Sequence, residues 1–258
     1  MIQVKQDEWR WQWEMFKDDE LFLFKDWIFP NTMEDFRGKD ILECGCGGGQ
    51  HTFFIAPYAR NITAVDLNTV NIARKRNAGL ANVKFVEADI MSMDLGRTFD
   101  IVFSIGVVHH TDNPDKAFEN LKKHLRPGGK LLLWVYSEEG NFLIKYIVEP
   151  MRKLLLRRMN RNALFQCAKV LTFLMYLPVY SIYLLPLKFF PYYEYFKNFR
   201  KLTFYRNCLN VFDKLNAPQV TFINRKRVEG WFNSRDFKNT QISSYRGVSW
   251  RASGIKNG

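Results

Sequence analysis

The chain has 258 residues, a formal charge of +12, 47% hydrophobic residues and 25% charged residues. That length holds one substantial α/β core with room for an insertion, and it is too short for two ordinary large domains. The composition excludes a disordered chain, in which hydrophobicity is low and net charge dominates.

The charge is not spread evenly. Residues 1–140 hold 17 Lys and Arg against 21 Asp and Glu, a balance of −4, whereas residues 141–258 hold 21 against 5, a balance of +16. One-sided basicity points to an anionic neighbour, which can be nucleic acid, a membrane surface or an acidic substrate; the plain alternative is a solvated basic face that serves solubility. The four cysteines, Cys44, Cys46, Cys167 and Cys208, do not make a disulfide framework at this length. The N-terminus is acidic and aromatic where a leader would be basic and then apolar, so we expect a reduced, cytoplasmic protein. Cys44 and Cys46 are at most half of a metal site, and no second Cys/His pair stands at ligand spacing, so no metal is expected.

In chain order, Trp9, Trp13, Phe16, Leu21, Phe24 and Ile28 recur at three- and four-residue spacing before Pro30. This predicts one or two helices over residues 1–37, packed against a sheet edge. From Lys39 the pattern changes to short apolar runs alternating with helical stretches. Strands are predicted at Ile41–Cys44, Ile62–Asp66, Val83–Glu87, Asp100–Ser104 and Lys130–Tyr136, and helices at Gln50–Tyr58, Val70–Ala78 and Pro114–His124. Regular alternation of this kind predicts a parallel sheet with right-handed crossovers.

After Gly140 the alternation stops. Val170 to Leu187 is an uncharged run of 18 residues, which reaches the length of a membrane-span candidate. Pro178 and Pro186 interrupt it, and basic residues flank both sides, so there is no positive-inside asymmetry. The α/β pattern also resumes beyond it, with a helix at Arg227–Asn233 and strands at Thr240–Tyr245 and Val248–Ser253. A single crossing would divide one sheet across a membrane. Residues 141–224 are therefore predicted to form a basic, aromatic helical cap, lying over the active site or in a membrane interface, and residues 225–258 to complete the sheet.

The chemistry-bearing motif is Glu43-Cys44-Gly45-Cys46-Gly47-Gly48-Gly49, at the end of a strand and the start of a helix. Glycines there allow a tight turn and close backbone approach to a ligand, and the helix N-terminus favours polar or negative groups. Asp66 closes the next strand, where an acid accepts hydrogen bonds from both ribose hydroxyls of an adenosine. A dinucleotide fingerprint requires glycine at position 50, where Gln50 stands, which argues against a nicotinamide cofactor.

With Ala64-Val65-Asp66, Glu87-Ala88-Asp89-Ile90, Phe99 to Ser104 followed by Val107-Val108-His109-His110, and Leu125 to Lys130, the motif resembles those of the class I S-adenosylmethionine-dependent methyltransferases. Within them the resemblance is to the group described as type 11 or type 12, and it covers residues 38–138. It implies a Rossmann-like, doubly wound α/β sheet of seven strands, mostly parallel with the last antiparallel, and S-adenosyl-L-methionine as cofactor. It also implies that Gly45, Cys46 and Gly47 form the loop beside the cofactor's methionine part, with Glu43 orienting that loop. Asp66 would hold the ribose, Leu67 pack on the adenine, and Asp89 with Ile90 read its amino edge, while Ser104 and Gly106 lie beside the methyl group.

Methyl transfer needs an aligned nucleophile, exclusion of water and, for an oxygen or carbon nucleophile, a proton acceptor. His109 and His110 follow the fourth strand and are the base candidates, with Tyr136 and Glu138 behind them. Adjacent residues on a short loop cannot both face one spot, so the plain alternative is that one packs and the other bonds backbone. The acceptor expected from the Phe-, Tyr- and Leu-rich cap is a small or lipid-like molecule, with peripheral membrane contact through residues 141–224. Two other readings compete. One is an RNA or protein methyltransferase that uses the basic region as its footprint, disfavoured by the long apolar runs between the charges. The other is a non-catalytic S-adenosylmethionine-binding scaffold.

Overall fold

The structure is a computed structural model describing residues 2–15 and 20–258; Phe16, assigned above to the first helical pattern, lies outside the described residues. Two helices, α1 (Ile2–Met15) and α2 (Leu21–Ile28), precede the sheet. The alternating region follows as β1 (Asp40–Cys44), α3 (Gln50–Ile55), β2 (Asn61–Asp66), α4 (Val70–Arg76), β3 (Val83–Glu87), β4 (Phe99–Ile105), α5 (Pro114–Lys123) and β5 (Leu125–Tyr136). Helices α6 (Glu149–Leu154), α7 (Arg161–Val179), α8 (Tyr193–Phe199) and α9 (Phe204–Asn216) come next, then α10 (Arg225–Trp231), β6 (Phe237–Tyr245) and β7 (Ser249–Lys256).

The seven strands form one sheet in the order β3-β2-β1-β4-β5-β7-β6. β1 to β5 pair in parallel, and β7 runs antiparallel to both β5 and β6. This is the mostly parallel Rossmann-like sheet expected from the motifs. Alternate side chains go to opposite faces of each strand: on β4, Val102 joins one core, with Leu42, Phe118 and Trp231, while Ile101 and Phe103 join another, with Phe24, Ile41 and Ile55. Helices α5 and α10 cover the first face and α2, α3 and α4 the second. Cys44 and Cys46 fall in different cores, one on each face of the sheet.

Several element ends depart from the sequence reading for local reasons. Helix α3 stops at Ile55 where Tyr58 was expected, because Pro57 has no N–H to continue the ladder. Strand β5 begins at Leu125 because the Arg126-Pro127-Gly128-Gly129 turn bulges out between two paired stretches, Phe99 with Leu125 and Ile101 with Lys130. Strand β6 begins at Phe237, three residues early, because its register shifts between Lys238 and Gln241. Helix α5 starts where Asn113 accepts from Lys116 N at 3.0 Å, with Pro114 in the first turn; such a cap stabilises by roughly 1 kcal/mol.

The cap has its own core, in which Leu164, Phe165 and Ala168 of α7 meet Cys208, Leu209 and Phe212 of α9. The apolar run from Val170 is not one helix: α7 ends at Val179, just after Pro178, and a 3-10 turn at Ile182–Leu184 follows. The cap's two ends lie side by side, since Ser137 and Ile223 form a parallel bridge. Ile223 N donates to Tyr136 O, and Glu138 N to Ile223 O, both at 3.0 Å.

The N-terminal helices do not sit at a sheet edge as expected. Helix α2 packs on a sheet face, with Phe24 against Phe103 and Trp27 5.0 Å from Trp134. Helix α1 bridges core and cap: Trp11 packs on Phe212 at 5.2 Å and Trp9 on His110 at 4.6 Å. Its indoles find apolar surface on both units, which an edge position would leave in water.

Candidate active site

A cavity of about 680 Å³ lies at the carboxyl ends of β1, β2 and β4 and continues beneath the cap. That is where open α/β sheets bind ligands. Of the residues assigned from sequence, Gly45, Gly47, Asp66, Leu67, Asp89, Ile90, Gly106 and His110 all line it. Glu43, Cys46, Ser104 and His109 are buried behind its wall.

The glycine loop leaves β1 and turns into α3. At Gly47 the backbone has φ +52°, and a Cβ there would meet the Trp13 indole at 2.5 Å, so the position demands glycine on both counts. The Asp66 carboxylate accepts from Gly47 N at 2.9 Å and from Asn68 N at 3.4 Å. Asp66 therefore fixes the loop, a structural role not anticipated from the sequence, while still facing the cavity. Each carboxylate oxygen keeps a lone pair for a further donor. Asp89 holds its own turn by accepting from Met91 N at 2.8 Å, and it too lines the cavity. An acid on each of two neighbouring strand ends, apolar Leu67 and Ile90 beside them, and exposed loop backbone together fit the ribose, adenine and methionine parts of S-adenosylmethionine.

The residues behind the wall act on the lining. Glu43 accepts a hydrogen bond from the Thr52 hydroxyl, and burial, reinforced by the Asp66 charge, pushes its carboxyl up to about 8. The Ser104 hydroxyl donates to Cys44 O at 2.8 Å, tying β4 to β1, and Ser104 is not among the residues lining the cavity. Cys46 packs in the core, and burial raises its thiol well above the ordinary range.

The two histidines separate. His109 is fully buried, its ring 4.2 Å from that of His110 and 4.4 Å from that of Tyr136. Neither ring nitrogen has a hydrogen-bond partner, and burial holds its pKa well below 6.5, so the ring is neutral and serves packing. His110 lines the cavity, with Nδ1 2.7 Å from Gln219 O. A carbonyl only accepts, so Nδ1 carries the proton and Nε2 keeps the lone pair. Burial also lowers the His110 pKa, offset in part by the Asp213 charge. Tyr136 lines the cavity and donates to Asp213 Oδ2 at 3.1 Å. Glu138 turns outward to Lys145 and Asn224 and takes no part in the cavity.

The cap and α1 supply residues that the motifs did not single out. Asp213 accepts from Gln12 Nε2 at 3.0 Å as well as from Tyr136. Lys214, Arg152 and Arg206 also reach the lining, with Arg206 paired to Glu20 at 2.9 Å. Asp213 and Lys214 lie near the end of α9, and no spacing rule marks them as site residues.

The sheet order, the antiparallel seventh strand, the glycine loop and the paired acids define a class I methyltransferase fold with a helical insertion. Residues 42–133 match the family described as methyltransferase domain, so the chain carries a class I S-adenosylmethionine-dependent methyltransferase domain over that stretch. Among relatives, a ubiquinone biosynthesis O-methyltransferase of Rickettsia conorii is 27% identical over 110 residues, 41% of this chain and 37% of that protein. A tRNA U34 carboxymethyltransferase of Pseudoalteromonas translucida is 30% identical over 141 residues, 52% of this chain and 40% of that protein. The chain thus spans about two-fifths of the length of these relatives. The solved structure of human N-acetylserotonin methyltransferase with bound S-adenosylmethionine shares the fold, with TM-score 0.51 and 15% identity over 90% of this chain and 51% of that one.

Proposed function

We propose that the protein transfers a methyl group from S-adenosylmethionine to a small or lipid-like acceptor held beneath the cap. The observation that carries this reading is the continuity of one cavity, from Asp66 and Asp89 past Gly106 and His110 to Leu143, Val148 and Leu171 of the cap. Its volume falls within the range of small-molecule sites, and its walls are mostly apolar with a few convergent polar groups.

S-adenosylmethionine, when bound, supplies an electrophilic methyl group. The chain does the remainder. Asp66 and Asp89 fix the adenosine by accepting hydrogen bonds, and the Gly47 backbone permits close approach. The cap and α1 exclude water and hold the acceptor in line. His110 Nε2 takes the acceptor's proton, while Gln219 O fixes the ring through Nδ1. The Asp213 charge favours the imidazolium so formed, and Tyr136 and Gln12 hold that carboxylate in place.

The test is to incubate the chain with methyl-labelled S-adenosylmethionine and, separately, a total lipid extract, a panel of phenols and amines, and bulk tRNA. Label in the lipid or small-molecule fractions, lost in His110→Gln, is the expected result. Label in tRNA would install the alternative favoured by the balance of +16 over residues 141–258. Cofactor binding with no transfer to any of them would leave the scaffold reading.

A further inference from the structure

The cap carries an unusual outer surface. Of the large hydrophobic side chains exposed among the described residues, nearly all lie between Phe142 and Phe204. On α7, Val170, Phe173, Leu174 and Leu177 form one helical stripe, and Phe173 and Leu177 are each about two-thirds exposed. The opposite stripe, through Leu164, Ala168 and Thr172, packs inward against α9. Helix α7 is long and apolar enough to cross a bilayer. Its flanking segments, however, return to one sheet, so it can only lie along a surface.

The same segment is strongly basic. Residues 141–224 hold 13 Lys and Arg against 3 Asp and Glu. Arg158, Lys188 and Lys201 are exposed, and exposed apolar residues, Leu155, Phe189 and Phe204, stand within three positions of them in the chain. Apolar and aromatic side chains interleaved with cations match the interface of an anionic bilayer, where tails take the first and headgroups the second. A second copy of the chain fits less well, because an isologous contact would set two such cationic faces against each other.

The cavity reaches exposed residues of the cap. Leu143 and Leu171 line it and each is 42% exposed, which puts both at its rim, Leu171 on α7 itself next to Val170 and Leu174 of the stripe. The exposed polar lining residue Asp112 belongs instead to the loop after β4, on the cofactor side. We infer that the outer face of the cap docks on an anionic lipid bilayer, turning the apolar rim of the cavity towards the membrane. The docking stands on the surface alone; that the rim admits the acceptor rests on the function proposed above.

The experiment is co-flotation of the full chain with vesicles of phosphatidylcholine, alone or mixed with phosphatidylglycerol, at low and high salt and without cofactor. The expected result is recovery with the anionic vesicles, weakened by salt. Phe173→Ser with Leu177→Ser, and separately Arg158→Glu with Lys188→Glu, should each lower the partition by about tenfold or more. Circular dichroism and calorimetric S-adenosylmethionine binding, measured on every variant, report folding and the cofactor site independently. Loss of vesicle binding with cofactor binding intact is thereby separated from failure of the methyl-transfer reading. Failure of the unaltered chain to float with anionic vesicles overturns the inference. So does equal flotation of all variants, or a dimer in light scattering that the Phe173 and Leu177 changes dissolve.

Discussion

The Tyr136 hydroxyl, at the end of β5, donates to Asp213 Oδ2 on α9 at 3.1 Å, so one carboxylate joins sheet to cap. Gln12 of α1 donates to its other oxygen at 3.0 Å. Asp213→Ala leaves both donors without an acceptor in a buried place, and is expected to cost about 2–3 kcal/mol of stability. Asp213→Asn keeps the shape but removes the charge that raises the His110 pKa. The His110 resonances in an NMR titration should then move to lower pH, and an unchanged midpoint would refute the coupling.

Asp66 faces the cavity and fixes Gly47 N. Asp66→Ala is expected to weaken S-adenosylmethionine binding by about 10- to 100-fold, the loss of hydrogen bonds to a charged acceptor. Calorimetry reads this directly, and unchanged affinity would remove Asp66 from the cofactor site.

Glu43 makes stability depend on pH. Its pKa rises from 4.5 to about 8 on folding, so the folded state holds a proton that the unfolded chain has lost between those values. Its contribution is fully present below pH 4.5 and is lost as pH climbs through about 8, by at most about 1.4 kcal/mol per pH unit. Glu43→Gln should flatten this decline in denaturant unfolding measured between pH 5 and 8. A parallel slope in the variant would show that Glu43 is not the group responsible.

Gly140, at the entrance to the cap, has φ +79°, and a Cβ there would lie 1.7 Å from Gly247 O. Backbone cannot yield as a flexible side chain would. Gly140→Ala is therefore expected to destabilise by about 2 kcal/mol or more, measured as a drop in Tm. A Tm within a degree or so of the unaltered chain would mean that the β6–β7 turn moves freely.

The sheet was largely legible because each buried strand is a short apolar run and each crossover helix keeps its period, as at Val83–Glu87, where expectation and structure coincide. The glycine loop and Asp66 were legible because their spacing follows from the strand-helix-strand unit itself. His110 could be named but not separated from His109, since the distinction depends on Gln219, which lies more than a hundred residues away in the chain. Asp213 and Arg152 reach the cavity only through cap packing, which leaves no local signature. The placement of α1 was missed for the same reason: its tryptophans answer to surfaces distant in the chain, Gly47 and Phe212.

The parallel bridge between Ser137 and Ile223 means that everything between them leaves and re-enters the sheet at a single point. A segment attached in this way can be lengthened, shortened or exchanged without altering any strand pairing from β1 to β5. The family match ends at residue 133, just before that point. On the function proposed above, a change of acceptor could then be confined to the inserted module, with the sheet and its glycine loop left as they are.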